Sequence, residues 1–206
     1  MYGLHDYSMS KEDISTCKNG SNIRAHRYMR PGTPVPVIIL NNEGEYEVQM
    51  RIWGLLRYWS ESSTHIRIHT LFNAKSESNL LISSLQNGCS VNRCIIPMSA
   101  KFEYQRLAEI SRRVNCKNYT PALPRFCVAG IYEDVLEQNT GKLIKCFSIL
   151  TTEIEMHSTS ECLNTTPFLQ LNHVSYDMWL RGTTQQARKL LLATSSEVNF
   201  ASIQDK

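Results

Sequence analysis

The segment NRCIIPMSAKFEY, residues 92–104, decides how this chain folds. Its apolar run from Cys94 to Pro97 indicates the start of a buried strand. After a kink at Pro97, a second extended piece ends at Glu103, which stands between two aromatic residues. A glutamate in that position is either a solvated residue at a sheet edge or a carboxylate held in a pocket. Residues elsewhere in the chain have to decide between these two interpretations of the glutamate.

The composition is that of a globular domain. The chain has 206 residues, of which 42% are hydrophobic and 20% charged, and it shows no repeat, low-complexity tract or linker. We therefore expect one mixed, strand-rich domain over residues 1–206, and a monomer. Residues 1–10 lack the apolar core of a signal peptide, and no run of about 18 apolar residues could span a membrane. We expect a cytoplasmic protein that does not contact a membrane.

Cysteine usage argues against a metal site. There are seven cysteines, an odd number, and no two have CxxC spacing. Several lie in apolar, strand-like runs, where a cysteine behaves as a small hydrophobic residue. We expect reduced thiols, no metal and no cofactor. A zinc site built from distant cysteine and histidine residues is the weaker alternative.

Positive charge is concentrated in the middle of the chain. Residues 51–125 carry 11 basic and 4 acidic groups, although the whole chain has a net charge of only +3. This distribution indicates either a solvated basic face or a surface that binds anions.

An antiparallel strand pair precedes the opening segment. The first strand covers Val35 to Leu40, residues 41–44 (Asn-Asn-Glu-Gly) form a hairpin loop, and the return strand covers about residues 45–55. Along the return strand, one face is mainly apolar and the other polar. The apolar face holds Tyr46, Val48, Met50 and Ile52, and the polar face holds Glu45, Glu47, Gln49 and Arg51. The pattern predicts a half-buried pair.

Two groups of residues that follow are candidates for binding. Trp53, Tyr58 and Trp59, beside Arg57, either plug the end of a barrel or sandwich or form a platform on which bases stack. Asn73 and Lys75 come shortly before a predicted helix at residues 78–88. They either cap that helix or hold an anion at its start.

The second half of the chain alternates strands, polar segments and helices. Residues 105–120 are polar and basic, which indicates a surface insertion, partly helical. Strands are predicted at 125–132 and 143–151. A helix through Trp179 ends at Gly182, and Thr183 caps a second helix over 184–193.

The chain resembles the SOS-response-associated peptidase (SRAP) family in eight blocks that occur in the family's order. The resemblance implies an α+β fold: a single mixed domain with a bifurcated antiparallel sheet around a small barrel and flanking helices. It also implies single-stranded or abasic DNA as the partner. The blocks are RIWGL (51–55), NAKSES (73–78), RCIIP (93–97) with FEY (102–104), AGIYE (129–133), FSILTT (147–152), residues 164–171, Trp179-Leu180 and Val198-Asn199.

Members of the family begin Met-Cys-Gly, and removal of the methionine exposes a cysteine with both an amine and a thiol. The amine condenses with the aldehyde of an abasic site to an imine and releases water. The thiol then adds to the imine carbon and closes a thiazolidine ring. This chain begins Met1-Tyr2-Gly3, so the resemblance aligns Tyr2 with the cysteine. A phenol cannot close that ring.

The resemblance assigns the remaining site positions one by one. The family's proton-shuttling histidine aligns with Leu163, which cannot carry a proton. Asn73 would hold the nucleophile or the sugar, Lys75 would contact a phosphate, and Glu103 would act as acid or base near the aldehyde. The family's aromatic wedge aligns with Trp59, helped by Tyr58. Trp53, Arg57 and Arg93 complete the residues expected to contact DNA.

We therefore expect a protein that binds single-stranded or abasic DNA and lacks the covalent crosslinking and autopeptidase activities. One alternative keeps some chemistry: the Met1 amine or Lys75 forms a transient imine, with Glu103 assisting. His5 or His157 could then replace the missing histidine, although solvent-exposed side chains are the simpler interpretation. The other alternative is a pseudoenzyme that binds a protein, for example a phage or mobile-element factor acting on host repair or defence.

Overall fold

The computed structural model describes residues 4–6, 17–20, 29–62, 65–75, 92–98, 100–104, 116–121, 126–137, 140–151, 170–171, 173–194 and 200–203. In these ranges it has an α+β fold rich in strands. The strands are β1 (Leu4–Asp6), β2 (Pro34–Leu40), β3 (Tyr46–Trp53), β4 (Leu55–Ser62), β5 (His65–Leu71), β6 (Asn73–Lys75), β7 (Arg93–Met98), β8 (Ala100–Tyr104), β9 (Cys116–Pro121), β10 (Phe126–Leu136), β11 (Leu143–Thr151), β12 (Gln170–Leu171) and β13 (Phe200–Ile203). The helices are α1 (His173–Leu180) and α2 (Thr184–Thr194).

Five strands close into a small barrel in the order β10-β7-β2-β3-β11. The ring closes because β11 pairs with β10 in antiparallel fashion and with β3 in parallel fashion. β12 adds to β10 and β6 adds to β11, so the sheet branches at both strands. This arrangement confirms the predicted bifurcated sheet around a small barrel. The predicted hairpin is also present: Leu40 pairs with Tyr46, and the Asn41 side-chain oxygen accepts from the backbone nitrogens of Glu43 (3.0 Å) and Glu45 (2.9 Å).

The inward face of the barrel is filled by one apolar cluster. Alternate residues of each strand point to the same side of a sheet, so the inward positions are spaced by two. Burial of the inward face alone would therefore give alternating apolar residues. The apolar runs in β2, β7 and β11 are continuous because the other faces of these strands are buried as well. The cluster consists of Met29, Val35, Val37, Ile39, Trp53, Cys94, Ile96, Met98, Val128, Phe147 and Ile149.

The two helices cover part of the outward face. Trp179 of α1 is fully buried, and its indole nitrogen donates to the Cys94 carbonyl at 2.9 Å. Gly182 follows the end of α1 as predicted. The position requires glycine, because a Cβ there would lie 2.2 Å from the Met178 carbonyl oxygen. Thr183 caps α2 as predicted: its hydroxyl accepts from the Gln186 backbone nitrogen (3.3 Å), and the Gln186 side chain accepts from the Thr183 nitrogen (2.7 Å).

A second sheet has the order β1-β8-β9-β13. Its strand β9 covers the end of the segment 105–120, which the sequence predicts as a polar surface insertion. Residues 116–121 pair with β8 on one side and with β13 on the other, so they lie between two strands of this sheet. A polar composition is compatible with this position, because an antiparallel sheet can keep one face in water. Residues 105–115, like the predicted helix at 78–88, lie outside the described residues.

Over the second half of β3, the face expected to be exposed is buried, and the face expected to be buried is exposed. Arg51 is buried, with 2% of its surface exposed, whereas Met50 and Ile52 on the other face are 41% and 37% exposed. Arg51 pairs with Val35, so it shares the inward side of the barrel. The sequence pattern predicted a polar face and an apolar face correctly, but the polar one points into the mouth of the barrel.

We predict that Gly130→Ala lowers the free energy of unfolding by about 1–3 kcal/mol, because it overfills the barrel. A Cβ at Gly130 would lie 2.6 Å from Ile96 Cδ1, 2.9 Å from Cys94 Sγ and 3.0 Å from the Ser148 carbonyl oxygen. Denaturant unfolding measures the loss.

The control is a double-mutant cycle with Ile96→Val, which removes the Cδ1 atom and alone costs about 0.5–1.5 kcal/mol. The double variant should lose less stability than the two single losses added together. Simple additivity would contradict this account of the barrel interior.

Candidate functional site

Three barrel strands finish at the same end, and most of the predicted site residues lie on the elements that continue from it. β3 is parallel to β11, and β7 and β11 are both antiparallel to β10, so the three strands run the same way. β3 leads into β4, β7 leads towards β8, and the end of β11 pairs with β6. We call this the exit end, where β3 ends at Trp53, β7 at Met98 and β11 at Thr151. The opposite end, where β2 turns into β3 and β10 into β11, is the hairpin end.

β6 holds Asn73 and Lys75 at the exit end. Asn73 pairs with Ile149 and Lys75 with Thr151, so both residues flank the end of β11. Asn73 is exposed, while Ala74 between them is buried and anchors the strand. The structure describes only the backbone of Lys75.

Trp53 positions β6 and has no face open to solvent. Its indole nitrogen donates to the Phe72 carbonyl at 2.8 Å, and its ring stacks on Phe147 at 6.4 Å between centroids. Phe72 directly precedes Asn73, so this bond fixes the start of β6. With 2% of its surface exposed, the indole offers no surface to a base. We therefore replace the predicted stacking role of Trp53 with a packing and positioning role.

Gly54 makes the sharp departure from β3 into β4 possible. Its φ of +139° lies in a region that residues with a Cβ rarely adopt. A Cβ would also lie 2.7 Å from Thr70 Cγ2 and 3.0 Å from the Phe72 ring. The backbone therefore needs glycine at the point where the chain leaves the barrel.

Glu103 lies on β8 beside the N-terminal strand. Its partner on β9 is Lys117, and its neighbour Phe102 pairs with Leu4 of β1. Residues 4–6 are thus hydrogen-bonded into the sheet next to Glu103. His5 pairs with Lys101 on the same two strands.

The aromatic segment forms a separate hairpin from the exit end. Arg57, Tyr58 and Trp59 lie on β4, which pairs with β5 in antiparallel fashion from Leu55 to Ser62. The structure describes the backbone of these three residues. It therefore places them on the element that leaves the barrel next to β6.

Arg93 lies at the hairpin end, away from the other predicted DNA contacts. One guanidinium nitrogen donates to the Gly182 carbonyl at 2.6 Å, and the group lies 5.7 Å from the centre of the Trp179 ring. Burial lowers the pKa of Arg93. The structure thus assigns Arg93 to the joint between β7 and the turn that separates α1 from α2.

Several predicted positions lie outside the described residues, namely Tyr2, Leu163 and His157. Within the described ranges, no group of three or more His, Cys, Asp or Glu residues could hold a metal ion. No helix in those ranges is long and apolar enough to cross a membrane. Burial raises the pKa of both the Cys94 and the Cys146 thiol, and neither has an acidic thiol suited to nucleophilic attack.

Sequence reasoning missed a polar cluster at the hairpin end. It runs along the inward face of β3 through Glu47, Gln49 and Arg51 and reaches Asp134 on β10. Residue spacing in the sequence could have indicated this cluster, because Arg51 comes two residues before Trp53 and so shares its face. The spacing shows that Arg51 points inward only once the burial of Trp53 is known.

The chain is similar to a known family and to one curated protein. The sequence model of a family described as SOS response associated peptidase (SRAP) matches residues 5–206. A curated relative, the abasic site processing protein YMR114C of Saccharomyces cerevisiae, is 25% identical over 144 residues. The match covers 65% of this chain and 34% of that protein, so the chain spans about a third of the relative's length.

Solved structures share the fold. A Bordetella bronchiseptica protein has a TM-score of 0.68 and 16% identity, with 98% of this chain and 99% of that one covered. A Bacteroides thetaiotaomicron protein has a TM-score of 0.65 and 20% identity, with 92% and 85% covered. At these identities the likeness concerns the fold alone.

We predict that Arg93→Met lowers the melting temperature by roughly 2–12 °C, because the Gly182 carbonyl loses its donor. The affinity for single-stranded DNA and its dependence on salt should not change. Thermal unfolding and a salt series of DNA titrations measure the two effects.

Arg188→Met on the exposed side of α2 is the matched control, since it removes the same charge from a solvated position. An unchanged melting temperature for Arg93→Met together with a shallower salt dependence would return Arg93 to the DNA-contacting residues.

Proposed function

Because the chain belongs to the SOS response associated peptidase (SRAP) family, we propose that it binds single-stranded DNA, including DNA with an abasic site, at the exit end of its barrel. The observation that carries this proposal is that β4 and β8 follow strands that finish at that end, while β6 pairs with the end of β11 and β1 pairs with β8. These elements bear the positions with binding chemistry: Arg57, Tyr58, Trp59, Asn73, Lys75 and Glu103.

Charge supports DNA as the ligand. The segment from 51 to 125, which supplies β4, β6 and β8, carries 11 basic and 4 acidic groups. Neutralising phosphates with such groups releases counterions and makes affinity fall as salt rises. Aromatic residues on β4 would add stacking, which tolerates any base because every base has a π-face. A basic segment with aromatic residues therefore suits a single strand without sequence preference.

The family's covalent chemistry is lost in this proposal. A thiazolidine needs an amine and a thiol on one residue, and Tyr2 offers no thiol. Leu163 replaces the histidine that moves the proton. Asn73 remains to hold the sugar, Lys75 to contact a phosphate, and Glu103 as the acid or base near the aldehyde. We propose a pseudoenzyme that recognises the lesion without forming the stable crosslink.

We predict that Trp59→Ala combined with Lys75→Ala weakens binding to a single-stranded oligonucleotide. Loss of one stacked base costs about 1–3 kcal/mol, which is roughly 5- to 150-fold in affinity. Loss of one phosphate contact should reduce the slope of log affinity against log salt by about 0.7. Fluorescence anisotropy titrations at several salt concentrations measure both quantities.

The matched control is Leu136→Ala with Lys142→Ala, which removes one exposed apolar side chain and one exposed cation from the hairpin end. Its affinity should equal that of the unchanged protein. Equal losses in the two double variants would contradict an exit-end site. No DNA affinity in the unchanged protein would favour the role of a protein-binding pseudoenzyme.

We predict that Tyr2→Cys with Leu163→His restores a stable crosslink to single-stranded abasic DNA, seen as a shifted band on a denaturing gel. The unchanged protein should show no such band. Tyr2→Ser with Leu163→His is the control, since it supplies a small second residue without a thiol. It should give at most an imine, which needs borohydride reduction to survive the gel.

The same gel tests the alternative of residual imine chemistry. A borohydride-dependent band from the unchanged protein would support a transient Schiff base. A stable band without borohydride from the unchanged protein would overturn the pseudoenzyme proposal.

A further inference from the structure

The hairpin end of the barrel opens into a polar cavity of about 490 Å³. This volume lies within the range of about 300–1,000 Å³ that small-molecule sites occupy. Its lining includes Glu47, Gln49, Arg51, Asn92, Tyr132 and Asp134. The cavity is at the opposite end of the barrel from β6 and β8, so it is separate from the proposed DNA site.

A ladder of hydrogen bonds runs along one wall. The Gln49 amide nitrogen donates to Glu47 at 3.0 Å, and the Gln49 amide oxygen accepts from Arg51 Nη2 at 2.8 Å. Arg51 Nη1 donates to the Asp134 carboxylate at 2.5 Å and to the Glu133 carbonyl at 3.3 Å. The guanidinium also lies 3.9 Å from the centre of the Tyr132 ring. These contacts hold the guanidinium in one orientation.

One donor in this arrangement has no acceptor among the described residues. Arg51 is 2% exposed, and its Nε is buried with no hydrogen-bond partner in the part of the chain that the structure describes. Buried polar atoms in proteins are nearly always paired, and an unpaired one calls for an explanation. Because Arg51 itself lines the cavity, an acceptor brought into the cavity is the partner that the site lacks.

The charge of the lining selects the rest of the ligand. Among the lining residues, Glu47 and Asp134 supply two carboxylates against the single cation of Arg51, which contacts Glu133 at its backbone carbonyl. Carboxylates and amide oxygens accept strongly from ammonium and guanidinium groups. A simple anion would satisfy Nε but would meet an excess of negative charge. A ligand with both an acceptor oxygen and a net positive charge satisfies both requirements.

We propose that the hairpin end binds a small organic cation that also carries a carboxylate, the class of the basic amino acids. The carboxylate accepts from Arg51 Nε, and the cationic head is held by Glu47 and Asp134. The site is independent of DNA binding at the exit end.

Isothermal titration calorimetry on the full chain tests the proposal with three probes. L-arginine carries both groups, agmatine lacks the carboxylate, and acetate lacks the cation. We expect saturable binding of L-arginine at one site, weaker binding of agmatine and none of acetate. Absence of saturable L-arginine binding at millimolar concentration overturns the proposal, and so does agmatine binding as tightly as L-arginine.

Variants that each remove one negative charge locate the site without disturbing the barrel interior. Glu47→Gln keeps an acceptor for Gln49 and should weaken L-arginine binding by at least about tenfold, the effect of losing one charged hydrogen bond. Glu137→Gln removes the same charge from the hairpin end at a residue that does not line the cavity, and it should bind as the unchanged protein does. Equal affinity of Glu47→Gln and the unchanged protein overturns the proposed location. Thermal unfolding of both variants confirms that the protein titrated is folded.

Discussion

The double pairing of β11 is the constraint on which the rest of the structure depends. This strand bonds to β10 along most of its length and to β3 through Cys146 with Ile52 and Phe147 with Trp53. Without the short parallel contact to β3, the five strands would form an open sheet with two exposed edges. Closure removes those edges and separates an inside from an outside. It also creates two ends with different chemistry.

The exit end and the hairpin end of the barrel carry the two sites that we propose. At the exit end, Trp53 holds the Phe72 carbonyl and thereby sets the start of β6, where Asn73 lies. At the hairpin end, Arg51 organises a polar wall on the same face of the same strand. One strand, β3, therefore positions residues at both ends of the barrel from the inside.

Burying Arg51 has an energetic cost that its partners offset only in part. A buried guanidinium must recover the hydration it loses through hydrogen bonds, and the bonds to Gln49 and Asp134 do much of this. Among the described residues, the Nε atom has no hydrogen-bond partner. Apolar residues would fill the same position without this cost, and the ligand site that we propose at the open mouth is a reason for an arginine there.

The sequence by itself determined several of the elements and their order, because those depend on local chemistry. The apolar runs of β2, β7 and β11, the turn at Asn41 and the cap at Thr183 were all predictable from neighbouring residues. The motif order likewise indicated the family and the exit-end residues. Only the tertiary structure decided which face of β3 turns inward and what Trp53 and Arg93 contact. Alternation marks two faces without saying which is inside, and in a closed barrel the polar face can point into the mouth. The partners of those residues come from β6, β10 and the turn after α1, which only the closed fold brings together.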